Sequence, residues 1–187
     1  PASQVREFAY YRMQHMDPLE YSSGGPDRDR IFVKVPGFWN RYELGGPGLS
    51  GDGYATYYLK ILLNESHPPL AMKLLSVGTA YSLYLDGEKV IGAGIPGRNR
   101  VSTVPRYFPH VFDVRSESPH LDMVFHVSNF HHRRGGLWEG IHLGSEKDIR
   151  NIQERRLGLD LFLLGSIFII GLYHLGLFLL RKKERSA

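Results

Sequence analysis

The sequence predicts an all-β antiparallel sandwich followed by one C-terminal transmembrane α-helix. Three observations carry that reading. The stretch Leu161–Leu180, LFLLGSIFIIGLYHLGLFLL, is twenty residues long and His174 is its one ionisable side chain. As a helix it spans roughly 30 Å, the thickness of a bilayer's hydrocarbon core. Ahead of it, short runs alternate apolar and polar residues at the period of two expected of half-buried strands. Those runs are separated by turn residues: the chain has 21 Gly and 11 Pro in 187 residues and is 12% aromatic, a composition suited to strands and turns rather than a helical bundle.

The strands can be placed in order. Ile31–Val35 is a short apolar run, and Gly45-Gly46-Pro47-Gly48 with Gly51-Asp52-Gly53 marks a loop. Beyond it Ala55, Tyr57, Leu59, Ile61 and Leu63 fall on one face of a longer strand, with Leu70–Val77 expected as its neighbour. Tyr81, Leu83 and Leu85 alternate again, and Asp86-Gly87 supplies the positive-φ chemistry of a two-residue hairpin into Glu88–Ile91. Tyr107–Val114 follows. Leu121, Met123, Phe125 and Val127 alternate with Asp122 and His126, which predicts a strand buried on one face. Leu137–Leu143 closes the set. About eight antiparallel strands result, the content of a sandwich.

The pattern changes at Ser145, a suitable N-cap with Glu146 and Asp148 in the first helical turn. No proline lies between Ser145 and Leu180, so one helix, or two joined near Gly158, is expected. A Gly/Ser linker would decouple the sandwich from the span; the sequence has none there and the joint reads as stiff. The domains are then 1–144, the sandwich, expected outside the cytoplasm; 145–160, a helical connector; 161–180, the transmembrane helix; and 181–187, a cytoplasmic basic flank. Arg181, Lys182, Lys183 and Arg185 favour a cytoplasmic C-terminus. The bias is modest, because Lys147, Arg150, Arg155 and Arg156 precede the span, partly offset by Glu146, Asp148 and Glu154.

Composition narrows the function. The chain has no cysteine, hence neither a disulfide framework nor a thiolate metal site. Residues 1–144 are close to charge-balanced with scattered basic residues, which argues against a nucleic-acid surface. The chain opens Pro1-Ala2-Ser3-Gln4 without an initiator methionine or apolar leader, and is expected to be a processed or excised piece.

Several segments resemble known families. VPGFWNRYEL (35–44), GYATYYLKI (53–61), YLDGEKVIGAG (84–94) and FHVSNF (125–130) are similar in order and spacing to the jelly-roll sugar-binding domain of family 2 glycoside hydrolases, with Asp86 where that hairpin usually has Asn. NFHHRRGGLW (129–138) and GLYHLGLFLLRKKERSA (171–187) resemble the membrane-proximal part and first helix of bacterial seven-transmembrane receptors with diverse intracellular signalling modules. The resemblance implies a galactose-binding-domain-like jelly roll acting as a periplasmic sensor at the inner membrane. It also implies six further membrane helices and a cytoplasmic output: histidine kinase, diguanylate or adenylate cyclase, or phosphatase. A membrane-anchored carbohydrate-binding accessory domain is the alternative.

Motif-like strings carry no catalytic chemistry. Gly92–Gly97 fits G-x-G-x-x-G, but Pro96 and Pro105 do not open the helix a dinucleotide site needs. Gly48-Leu49-Ser50-Gly51 has Asp52 where a nucleophile elbow closes on glycine. Asn64-Glu65-Ser66 is a glycosylation sequon only in a eukaryotic secretory setting. With no Ser/His/Asp set, no enzymatic activity and no cofactor is expected of this chain.

His126, His131, His132 and His142 fall within seventeen residues, yet no carboxylate stands at ligand spacing, and no metal is expected. Carbohydrate recognition uses aromatic faces beside hydrogen-bonding groups. Trp39 with Asn40 and Tyr42, beside Arg41, is one candidate cluster, and Trp138 with His131 and His132 is another; core packing is the competing role for both tryptophans. Trp138 alternates with Ile141 and Leu143 and is expected to face away from the core. Arg133 and Arg134, with Arg155 and Arg156, are candidates for contact with lipid headgroups or an acidic ligand.

In the membrane segment Asp160 and His174 are candidates for signal coupling. Ionisable groups in a span usually face a bundle interior, and His174 shares a helix face with Arg181, as Gly165 nearly does with Gly176. The expected partners are the membrane, a carbohydrate or small polar ligand, further transmembrane helices of the same protein, and a second copy of the chain.

Overall fold

The structure is a computed structural model that describes residues 3–4, 7–12, 31–42, 48–64, 66–75, 77–116 and 118–184, with side chains described within 31–181. The Gly45–Pro47 part of the expected loop, Glu65 of the sequon, Glu43 and Leu44, and Arg185 lie outside the described residues, as do the side chains of Lys182 and Lys183.

Ten strands and one helix make up the described chain. The strands are β1 (Ser3–Gln4), β2 (Glu7–Arg12), β3 (Ile31–Lys34), β4 (Gly53–Leu62), β5 (Leu70–Leu74), β6 (Ala80–Leu85), β7 (Glu88–Ala93), β8 (His110–Val114), β9 (His120–Asn129) and β10 (His142–Ser145), and the helix is α1 (Glu146–Glu184). Every strand pairing is antiparallel. One sheet runs β1-β10-β5-β8 and the other β3-β2-β4-β9-β6-β7. Between them lie Tyr57, Met72, Leu74, Leu83, Leu121, Met123, Phe125 and Leu137, all fully buried. This is the jelly-roll sandwich with a single C-terminal apolar helix that the sequence predicts.

The alternation reads through to the pairing. In the ten-residue β4–β9 ladder, Tyr57 faces Phe125, Leu59 faces Met123 and Ile61 faces Leu121. The β6–β7 turn has positive φ at both Asp86 (49°) and Gly87 (85°), as a type I′ hairpin requires. Asp86 also ties the turn to β9, its backbone N–H donating to the Asp122 carbonyl (2.9 Å) and its carboxylate accepting the Asp122 N–H (2.8 Å).

Four local expectations are corrected. Leu70–Leu74 is not the neighbour of β4; it lies in the opposite sheet between β10 and β8. Both assignments put apolar residues on the same core, so alternation alone does not separate them. Residues 107–109 and 137–141 are not strand. Pro105 and Pro109 deprive the first of ladder donors. In the second, positive φ at Gly136 (116°) turns the chain, and the strand resumes only at His142. Finally, β9 is buried on both faces: Asp122 is 4% and His126 9% exposed. Tyr58 donates to the Asp122 carboxylate (2.8 Å), Tyr84 stacks on His126 (4.9 Å), and the Ser128 hydroxyl donates to the Gly97 carbonyl (2.6 Å), so side chains and a loop cover the outer side.

The chain divides into two compact units, Pro1–Ile149 and Arg150–Ala187. The first contains the start of α1. Ser145 caps it, its hydroxyl accepting the Asp148 N–H (3.1 Å), and the Glu146 N–H donates to the Pro69 carbonyl (2.8 Å). Ile149 is fully buried. Hydrogen bonding from Ser145 holds the Asp148 carboxyl below its ordinary pKa. In the second unit, α1 continues unbroken through Gly158 and is long and apolar enough to cross a membrane; none of its apolar window is buried in protein. Leucine, isoleucine and phenylalanine are exposed on all its sides, as expected where lipid replaces a protein core.

Candidate functional site

The candidate site is built around the loop that follows β9. Asn129, fully buried at the end of that strand, folds the loop back on itself. Its amide donates to the carbonyls of His132 (2.6 Å) and Gly51 (2.8 Å), and its oxygen accepts the His132 N–H (3.1 Å). Asn40 fastens the other end, its oxygen accepting the Gly135 N–H (3.2 Å) and its amide reaching the Arg133 carbonyl (3.4 Å). Residues 135–137 then run between two backbones. Gly37 donates to Leu137 (2.7 Å) and Trp39 to Gly135 (3.0 Å) on one side, and Gly78 donates to Gly136 (3.1 Å) on the other.

The two tryptophans take different places on this frame. Trp39, in the 3-10 turn Trp39–Arg41, is 2% exposed, and its indole N–H donates to the Ser50 carbonyl (3.0 Å). Its ring packs on Gly135, where a Cβ would overlap it. Tyr42 packs against the core, and burial raises its pKa. Trp39, Asn40 and Tyr42, expected from the sequence as ligand contacts, are thus committed to internal partners and hold the loop in shape.

Trp138 is half-buried and lies against Gly78, with the His132 ring 4.7 Å and the Phe38 ring 6.0 Å away. Its buried indole nitrogen has no hydrogen-bond partner among the described residues. The ring forms one wall of a shallow, largely apolar cavity of about 230 Å³, which Val77, Thr79, Pro105, Arg106 and Tyr107 complete. The Arg106 N–H donates to the Thr79 carbonyl (3.1 Å) and fixes the two sides to each other. Of the expected ligand residues only Trp138 lines this cavity. His131 and His132 are exposed on the adjoining loop.

Reading Tyr107–Val114 as one strand hides Tyr107 as a loop residue, while Thr79 and Arg106 lie outside that run and carry no periodic signal of their own. Pro105-Arg106-Tyr107-Phe108-Pro109 carried the signal: an aromatic pair between prolines is a poor ladder segment, and Tyr107 is 65% exposed. The four histidines of the predicted cluster do not converge: His126 lies on the outer face of β9, His142 in the opposite sheet, and His131 and His132 in the loop. Among the described residues no group of three or more His, Asp or Glu could hold a metal ion. Arg133 is exposed and Arg134 half-buried. Arg155, Arg156, Asp160 and His174 are exposed on the helical second unit.

No protein-family model matches the chain, and no curated protein does. Solved structures do match. The β-glucuronidase of an uncultured Clostridium species superposes with a TM-score of 0.56 at 13% identity, over 78% of this chain and 29% of that enzyme. The sandwich shares its fold with part of that enzyme. A family 2 glycosyl hydrolase from Bacteroides cellulosilyticus gives 0.56 at 12% identity, over 76% of this chain and 20% of its own length. Ruminococcus gnavus β-glucuronidase gives 0.54 at 12% identity, over 76% and 28%. This chain therefore spans less than a third of these enzymes, and at such identities the likeness is one of fold alone.

Proposed function

We propose that this chain is the extracytoplasmic ligand-sensing domain and first membrane helix of a signalling receptor of the inner membrane. On this reading the Trp138 cavity receives a carbohydrate or another small polar solute. α1 crosses the bilayer beside further helices of the same protein, and Asp160 and His174 pass the ligand's effect to a cytoplasmic kinase, cyclase or phosphatase. The observation that supports it most is the join: the sugar-binding type of sandwich ends at Ser145, and a capped, unbroken helix with a lipid-compatible apolar run starts at the next residue. An anchor would work equally well through a flexible linker; a transducer would not.

Ligand binding is tested by thermal-shift screening with neutral and charged saccharides, amino acids and polyols. A ligand at a hundredfold excess over its dissociation constant stabilises by about 2.7 kcal/mol, a melting shift on the order of 5 °C for this size. Trp138→Ala should abolish that shift while circular dichroism stays native; full affinity in the variant would exclude the cavity. Orientation is testable because the chain has no cysteine. An impermeant maleimide added to intact cells stripped of their outer membrane should label Asn99→Cys and leave Ser186→Cys unlabelled. The reverse pattern would invert the topology.

The likeness to glycoside hydrolase domains favours a second reading, a membrane-anchored carbohydrate-binding accessory domain. His174→Phe separates the two. In a receptor it should change basal or stimulated output with insertion intact, and in a plain anchor nothing should change.

A further inference from the structure

The cavity beside Trp138 has a cationic border. Arg106 is part of its lining. On the far side of Trp138, the Arg134 and Arg41 guanidiniums lie over the Phe38 ring, at 4.8 and 5.7 Å from its centroid. Elsewhere in the sandwich Lys60 lies 3.7 Å from the Asp122 carboxylate. No carboxylate among the described residues pairs with Arg41, Arg106 or Arg134.

Guanidinium groups left without a counter-charge attract an anion, and a planar fork suits a carboxylate, which it can bind through two parallel hydrogen bonds. The remaining walls specify the body of that anion. Trp138, Tyr107, Pro105 and Val77 offer apolar and aromatic faces, against which the C–H face of a sugar ring packs. At about 230 Å³ the space lies below the range of about 300–1,000 Å³ usual for drug-sized ligands, and suits a single ring.

We propose that this cavity takes an acidic saccharide, a sugar ring carrying a carboxylate, with Arg106 as its counter-charge and Trp138 and Tyr107 as the faces that hold the ring. The proposal rests on the ligand-binding reading above and names the ligand class. Arg134 and Arg41 add long-range attraction for the anion; their guanidiniums are held against Phe38 and do not line the cavity.

The test uses the full chain in neutral detergent, with tryptophan fluorescence and calorimetry as readouts. The probes are D-glucuronate, D-galacturonate, their neutral parents glucose and galactose, inorganic phosphate, and phosphatidylglycerol vesicles. At least one uronate should bind about tenfold or more tighter than its neutral parent, and its affinity should fall between low salt and about 0.5 M. Arg106→Gln should weaken that binding by about 10–100-fold with an unchanged melting temperature, whereas the exposed Arg98→Gln, away from the cavity, should bind like the wild type. Neutral sugars binding as tightly as uronates would overturn the acidic class and leave the ligand-binding reading standing. Phosphate displacing the uronate at equal concentration would reduce the site to a general anion site and also overturn the proposal. Vesicle binding lost in Arg106→Gln without any sugar binding would assign the arginine to lipid and overturn the proposal. Binding of no probe would overturn this proposal, and the wider screen described above would then decide the ligand-binding reading by itself.

Discussion

Two buried polar residues of the sandwich have opposite environments, and their substitutions should act in opposite directions. Asn129 is saturated: removing its amide strands the Gly51 and His132 carbonyls and the His132 N–H together. Asn129→Ala should destabilise by roughly 2–4 kcal/mol, read from the urea midpoint. Asn129→Asp, which keeps the acceptor and loses the donors, should fall in between. Tyr81 is 2% exposed and its hydroxyl has no hydrogen-bond partner; burial pushes its pKa well above the ordinary tyrosine value. The native state therefore holds Tyr81 neutral. Its contribution to stability is full below the unfolded tyrosine pKa of about 10 and is lost as pH rises towards the folded value. Tyr81→Phe should keep neutral-pH stability or raise it by up to about 1 kcal/mol, and should flatten the alkaline limb of the stability curve. An equally steep alkaline loss in the variant would contradict this account. Sequence alone could place Asn129, in the closing F-H-V-S-N string. It also sets Trp138 facing away from the core, but not what separates it from Trp39: Gly135 admits one ring into the core while Gly78 supports the other at a cavity wall.

Elements were legible where local chemistry fixes them. The Asp86-Gly87 hairpin needs only its own two residues, and the helix start needs only Ser145 and Asp148. Asp86→Ala should cost about 1–2 kcal/mol, since it loses both tolerance of positive φ and the acceptor for the Asp122 N–H; Asp86→Asn should cost much less. Equal losses in a thermal melt would mean that the carboxylate's charge, which both variants lack, is what the turn needs. What depends on distant partners was not legible. The sheet to which Leu70–Leu74 belongs is decided by β10 and β8, and the covering of β9's outer face by Tyr58, Tyr84 and the Gly97 carbonyl. β1 and β2 leave no periodic signal in the sequence. Their contribution is to extend each sheet by hydrogen bonds, which a two-residue and a six-residue run do not advertise by period.

At the scale of the whole molecule, the boundary between sandwich and helix is the feature most open to test. The sequence places it after residue 144, where the strand pattern stops. The compact unit runs to Ile149. Four contacts lie in the difference: the last β10 pair (Ser145 with Leu70), the Glu146–Pro69 hydrogen bond, the Ser145 cap and the fully buried Ile149 side chain. Burying an isoleucine stabilises by about 1.5–3 kcal/mol, and the cap adds about 1 kcal/mol. A protein ending at residue 149 should therefore be a soluble, cooperatively unfolding all-β domain, and one ending at 144 should be less stable by roughly 2–4 kcal/mol in urea. Ile149→Ala in the longer form should reproduce most of that loss. Identical midpoints for the two truncations would mean that the first turn of α1 is a passenger on the sandwich. A clear difference would mean that the sandwich holds that turn as part of its own core, so a change in the domain has a direct covalent route into the helix.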